Sequence, residues 1–338
     1  MIDRHGEALE MFARGTFIPA MPLALDADRR FDEAAQRRLV RYYLEAGAGG
    51  VAVAVHTTQF RIREAGLLEP VLRVAADEIN RYEDETGRAI VRVAGACGPA
   101  EQAVKEAELA RNIGYDAVLL SPGGLAGMGE EEHLARARSV AEILPVIGFY
   151  LQLAVGGRAF SYDYWRRLCE IENVVGVKCA SFDRYSTVDV VRAAAFAGRE
   201  VALYTGNDDN IVMDLLTPYQ FTVDGETRVK RFVGGLLGHW AVCTRRAVEI
   251  FNELKQATQI SPAYLRLAAE VTDFNSAVFD TRNDFRGCIA GVHEVLRRQG
   301  LLKGVWCLDP EEALSPGQAA EIDRVMGMYP NLCDEVER

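Results

Sequence analysis

The sequence predicts a (β/α)8 TIM barrel followed by a C-terminal helical extension. Three observations carry that expectation. Eight short runs rich in branched apolar residues recur along the chain, and they alternate with segments of helical periodicity, the pattern of a parallel α/β sheet. Eight such units closing on themselves make a barrel, and 338 residues hold a barrel of about 250 with chain to spare. No G-x-G-x-x-G or Walker A pattern stands at any strand-to-helix turn, as an open doubly wound sheet would want after its first strand.

In order, residues 3–14 read as a short helix leading into a first strand within Thr16 to Leu23. Asp32 is placed to cap a helix that runs to Glu45, and Gly47 to Gly50 stop it. Gly50 to Val55 is the second strand, 69–85 a helix, Ala89 to Ala94 a strand and 100–113 a helix ending at Gly114. Asp116 to Leu120, Val146 to Tyr150, Val174 to Cys179 and Val201 to Tyr204 follow as strands, with helices over 130–144, 161–172, 185–197 and 208–216. Arg231 to Gly235 is the eighth strand. From residue 239 the strands cease, and 239–257, 261–275, 284–299 and 315–328 read as helices, the last with Ser315 as cap and Pro316 at its first position. This divides the chain into a barrel with a short N-terminal helix, 1–238, and a helical domain, 239–338.

A net charge of −11 argues against a nucleic-acid or membrane-surface partner. Seven cysteines, an odd count without C-x-x-C spacing, fit reduced thiols rather than a disulfide framework or zinc knuckle. No apolar h-region opens the chain and no run of about 18 apolar residues occurs, so a cytoplasmic protein is expected. No His, Cys, Asp or Glu set has metal spacing, and neither metal nor cofactor is expected.

The chemistry concentrates in Val174-Val175-Gly176-Val177-Lys178-Cys179-Ala180. Only Lys105, Lys178, Lys230, Lys255 and Lys303 are lysines among 38 basic residues, so surface cations are nearly always arginine. A lysine inside an apolar strand either snorkels to water or serves as an amine whose lone pair burial sets free. Barrel function collects at the C-terminal ends of strands, where His56-Thr57-Thr58-Gln59, Tyr150 and Lys178 stand. A nucleophilic amine, a phenol and paired hydroxyls suit imine formation with a 2-oxo acid.

These residues resemble the dihydrodipicolinate synthase / N-acetylneuraminate lyase superfamily of class I aldolases, over about residues 15 to 330. The family's Schiff-base lysine sits in G-(I/V)-K-x-(A/S), matched by Gly176-Val177-Lys178-Cys179-Ala180. Its tyrosine closes a strand of the type P-(V/I)-x-x-Y, read here as Pro145-Val146-Ile147-Gly148-Phe149-Tyr150. Its G-T-T-G-E motif is matched by His56-Thr57-Thr58-Gln59-Phe60, and S-G-D-D more loosely by Thr205-Gly206-Asn207-Asp208-Asp209. The resemblance implies catalytic roles for Lys178, Tyr150 and Thr57, a carboxylate-binding Thr58, and a homo-oligomer, dimer or tetramer. His56, Gln152, Arg158 and Gly206 are the further substrate-binding candidates, while Asp208 and Asp209 read as helix caps.

Departures cluster around the second substrate. His56 and Gln59-Phe60 replace the family's glycines and glutamate, and Ser121-Pro122-Gly123-Gly124 stands in place of P-Y-Y. Leu151 to Arg158 replaces N-x-P-x-R-T, and Phe232 to Trp240 replaces the G-x-I-S strand. The expected activity is therefore a Schiff-base lyase on pyruvate or a related 2-oxo acid with a rebuilt second pocket, open to an apolar aldehyde. The alternatives are a 2-keto-3-deoxy sugar acid dehydratase of the same family, a metal-dependent barrel lyase and a non-catalytic metabolite-binding barrel.

Overall fold

The computed structural model describes residues 4–334. Eight parallel strands form one sheet: β1 (Phe17–Pro19), β2 (Gly50–Val53), β3 (Val91–Ala96), β4 (Ala117–Leu120), β5 (Val146–Leu151), β6 (Val174–Ala180), β7 (Ala202–Thr205) and β10 (Phe232–Leu237). Each pairs in parallel with its neighbours in chain order, and β10 lies between β7 and β1. A parallel bridge from Ala20 to Ala52 brings β1 to β2, where the Met21 N–H donates to the Ala52 carbonyl at 2.9 Å. That contact closes the barrel, the architecture the sequence predicts.

Helices α1 (Arg4–Arg14), α2 (Glu33–Glu45), α3 (Leu68–Thr86), α4 (Ala100–Ile113), α5 (Glu130–Ala141), α6 (Tyr162–Glu170), α7 (Arg184–Ala195), α8 (Ile211–Leu216) and α9 (Thr244–Gln256) belong to or flank the ring. Helices α10 (Pro262–Val278), α11 (Cys288–Arg298) and α12 (Gln318–Met328) follow it. Strand alternation sorts the apolar side chains into two layers. Ile18, Ala52, Val93, Leu119, Ile147 and Leu236 fill the barrel, while the opposite faces pack under the helices. At the N-terminal end the lumen is plugged by α1. Phe12 stacks on Tyr204 with ring centroids 4.4 Å apart, and the Tyr204 hydroxyl donates to the Phe12 carbonyl at 2.7 Å. Helix α9 packs against β1 and α8 and so completes the eighth βα unit, on the far side of the division at residue 238.

Asp32 caps α2 as expected, its carboxylate accepting from the Ala35 N–H at 2.9 Å. Other boundaries move. Strand β1 is shorter than Thr16 to Leu23: its regular ladder ends at Pro19, and Ala20 then bridges to Ala52 of β2. Ser315 is not a cap: α12 starts at Gln318 after Gly317, and the Ser315 hydroxyl donates instead to Asp280. Between α8 and β10 an antiparallel hairpin intervenes, β8 (Tyr219–Val223) with β9 (Glu226–Lys230), turning through Asp224 and Gly225 at φ +50° and +80°. Positive φ at both turn residues is the type I′ geometry that favours Asp-Gly. The hairpin leaves from a helix-to-strand connection, so it belongs to the face opposite the barrel mouth.

Candidate active site

Lys178 stands on β6 opposite Phe149 of β5 and Tyr204 of β7, and residues in register point the same way. All three face the lumen. The Lys178 side chain is 7% exposed, and burial pulls its amine below the usual lysine range, partly offset by the nearby Asp208 carboxylate. Its Nζ lies over the Phe149 ring, 4.5 Å from the centroid, a cation–π placement. Gly206 gives the side chain its room: a Cβ there would meet Lys178 Cε at 2.5 Å and Ala180 Cβ at 2.9 Å.

The amine opens into a small cavity with about 50 Å³ free. Its polar lining is Lys178, Asp208, His56, Thr57 and Gln152. Its apolar wall comes largely from Phe149, Phe182, Phe279 and Phe285, the last two from the connection between α10 and α11, with Cys288 of α11 beside them. Burial lowers the basicity of His56 to about 4, helped by the charge of Lys178, so the ring is neutral at pH 7. The Thr57 hydroxyl donates to the Ala20 carbonyl at 2.8 Å, which leaves its oxygen lone pairs to accept. A larger hollow of about 330 Å³, lined by Arg14, Leu216, Phe232 and Lys255, sits at the other end of the barrel and holds no acid–base pair.

Asp208 is the site residue that sequence reading misplaced. It does not cap α8, whose N-cap is Asn210. Its Oδ1 accepts the His239 N–H at 2.9 Å, and its own carbonyl accepts from Asn275 Nδ2 at 2.7 Å. Burial pushes its carboxyl well above the usual aspartate range. The loop bearing it is pinned by buried Asp214, which accepts from Thr205 Oγ1 at 2.7 Å and from Asn207 Nδ2 at 2.8 Å.

The cavity therefore gathers Lys178, Thr57, His56, Gln152 and Gly206, and three expected residues lie elsewhere. Tyr150 points away from the lumen. It stacks on Trp165 of α6 at 5.3 Å and hydrogen-bonds Ser186 of α7, in the outer layer. The reason is register: counting the five-residue P-(V/I)-x-x-Y spacing from Pro145 lands on Phe149, and Tyr150 comes one residue late, on the other face. Thr58 is outside the cavity lining, its hydroxyl donating to the Met21 carbonyl at 2.6 Å across the barrel closure. Arg158 is turned to the Met128 carbonyl and packs over Phe160 at 4.8 Å, also outside the lining.

Strained backbone surrounds the mouth. Ala54, Gln59, Phe182, Asp284 and Phe285 all take positive φ without being glycine. Such outliers cost on the order of 1 kcal/mol or more each and gather where a site must be held in shape. Among the described residues no group of three His, Cys, Asp or Glu could hold a metal ion.

Fold and site define a class: closed parallel barrels with a buried amine at the end of the sixth strand. Residues 13–225 match the Dihydrodipicolinate synthetase family, and the chain belongs to it. It is 24% identical over 325 residues to N-acetylneuraminate lyase 2 of Escherichia coli O6:H1, covering 95% of each chain. It is 31% identical to 4-hydroxy-tetrahydrodipicolinate synthase of Laribacter hongkongensis over 186 residues, 54% of this chain and 60% of that one. Its fold superposes with a TM-score of 0.74 on the chloride-inhibited dihydrodipicolinate synthase of Acinetobacter baumannii complexed with pyruvate, at 20% identity over 93% of this chain and 98% of that one.

Proposed function

We propose that the protein is a lysine-imine lyase acting on pyruvate or a closely related 2-oxo acid. The observation that carries this reading is the buried Lys178 amine opening into a small cavity whose polar lining also includes Asp208, His56, Thr57 and Gln152. A neutral amine attacks the keto carbon, and loss of water leaves an iminium that draws electrons from the neighbouring carbon. The Phe149 face beneath Nζ stabilises that cation. Pyruvate in the Acinetobacter baumannii complex supports the choice of acid.

The second substrate is an uncharged aldehyde with an apolar or aromatic body, and aldol cleavage or condensation is the reaction. Phe182, Phe279 and Phe285 wall that side, and among the described residues Lys178 is the only cation lining the cavity. A second carboxylate would lie unpaired among apolar groups and close to Asp208, which is costly. The test is exchange of the pyruvate methyl protons in heavy water, followed by NMR. The protein should catalyse exchange through its enamine, and Lys178→Ala should not. Equal exchange in both would sink the reading.

A further inference from the structure

With Phe149 in the inward place and Tyr150 outside, the lumen near Lys178 lacks a usable phenol. Tyr204 also faces inward, but its hydroxyl donates to the Phe12 carbonyl and accepts the Thr16 N–H at 3.1 Å, at the plugged end. Imine formation still requires protons to move, and a phenylalanine ring moves none. We infer that Asp208 is the acid–base group of this site, passing protons between the Lys178 nitrogen and the oxygen of the bound 2-oxo acid. The inference rests on the lysine-imine reading.

Four observations support this role for Asp208. Its carboxylate lines the same cavity as Lys178 and is close enough to act on the amine electrostatically. Its Oδ1 is fixed by the His239 N–H at 2.9 Å, which holds the carboxylate toward the cavity it lines. The main chain around it is held by Asn275, so the group is preorganised. Its raised pKa brings it toward the working pH, where a general acid–base is most effective.

The other cavity groups fit less well. Burial holds the Cys288 thiol protonated, and Gln152 and Thr57 do not titrate near neutrality. His56 is too weakly basic to hold a proton at pH 7. The groups that set the Asp208 proton are Lys178 of β6, Asp209 beside it, the His239 N–H, Cys288 of α11 and, across the cavity, His56.

The steps balance. Lys178-NH3+ gives a proton to the Asp208 carboxylate. The amine lone pair forms the N–C bond, the C=O π pair moves to oxygen, and that oxygen takes the proton back from Asp208. The carbinolamine nitrogen then loses a proton to Asp208, which hands it to the hydroxyl. Water leaves as the nitrogen lone pair forms the iminium. Asp208 ends as it began, and no proton is gained or lost overall.

The experiment measures the rate of imine formation with pyruvate by borohydride quench and intact mass, between about pH 6 and pH 9. Asp208→Asn should slow it by about 100-fold or more and flatten its pH dependence. Adding Phe149→Tyr to Asp208→Asn should restore part of the rate, because position 149 faces the amine. An Asp208→Asn protein that forms the imine at the wild-type rate overturns the inference. Should Asp208→Asn not fold, Asp208→Glu serves: a displaced pH midpoint supports the inference and an unchanged profile overturns it. If the wild type traps no 2-oxo acid at all, the reading of the site falls and this inference with it; trapping that ignores Asp208 sinks the inference alone.

Discussion

At the scale of single residues, the site turns on which way side chains point along two strands. An ammonium in an apolar strand drew attention to Lys178, and the match to G-(I/V)-K-x-(A/S), not the strand alone, gave it the imine role. The tyrosine was misread because one position in a strand exchanges lumen for outer layer, and P-(V/I)-x-x-Y leaves no slack. Tyr150→Phe should therefore leave pyruvate proton exchange within about threefold of wild type and lose about 1 kcal/mol of stability with the Ser186 bond. A loss of about 100-fold in a folded protein would return the relay to Tyr150. Gly206→Ala should cost both. The new methyl meets Lys178 Cε at 2.5 Å and the rigid Ala180 Cβ at 2.9 Å, so imine formation should fall by about tenfold or more and the melting temperature should drop with it.

At the scale of elements, hydrophobic period and caps located every strand of the barrel, within a few residues at each end. The hairpin β8–β9 escaped, although Val223-Asp224-Gly225-Glu226 carries the Asp-Gly turn signal between alternating residues. Its strands are largely exposed, so the apolar pattern that announces the barrel strands is missing there. Replacing Asp224-Gly225 by Ala-Ala forces two alanines to positive φ. That should destabilise the protein by about 1–2 kcal/mol in denaturant titration and leave imine formation unchanged, since the hairpin lies away from the mouth. The C-terminal helices are tied by Arg324 of α12 forking onto Asp273 of α10 at 2.8 and 3.0 Å, with the Tyr329 hydroxyl added. Arg324 and Tyr329 hold the Asp273 carboxyl down to about 2, against 3.8 when free. A depressed folded value contributes stability that is present above 3.8 and lost as pH falls through about 2. Asp273→Asn should lower the melting point by a few degrees at pH 7, about 1 kcal/mol for a pair so open to solvent, and the gap should close in acid.

At the scale of the whole molecule, the extension completes the site. Phe279, Phe285 and Cys288 reach the cavity from beyond the barrel, and Leu308 donates its N–H to Gln59 Oε1 at 2.6 Å beside the mouth. Contacts between residues more than a hundred positions apart leave no periodic trace in a sequence, so this wall could not be read there. Asp208 was hidden for a like reason, since its environment depends on His239 and Asn275, 31 and 67 positions further along the chain. No helix among the described residues is long and apolar enough to cross a membrane. Activity should survive EDTA unchanged, because an amine supplies the electrophilic chemistry a metal would otherwise provide. The claim beneath all of this is that Lys178 forms a covalent imine with a 2-oxo acid. Borohydride reduction in the presence of pyruvate, followed by peptide mapping, tests it most directly. One pyruvate-derived adduct on the peptide carrying Lys178 is the expected result; no adduct, or an adduct on another lysine, would contradict it.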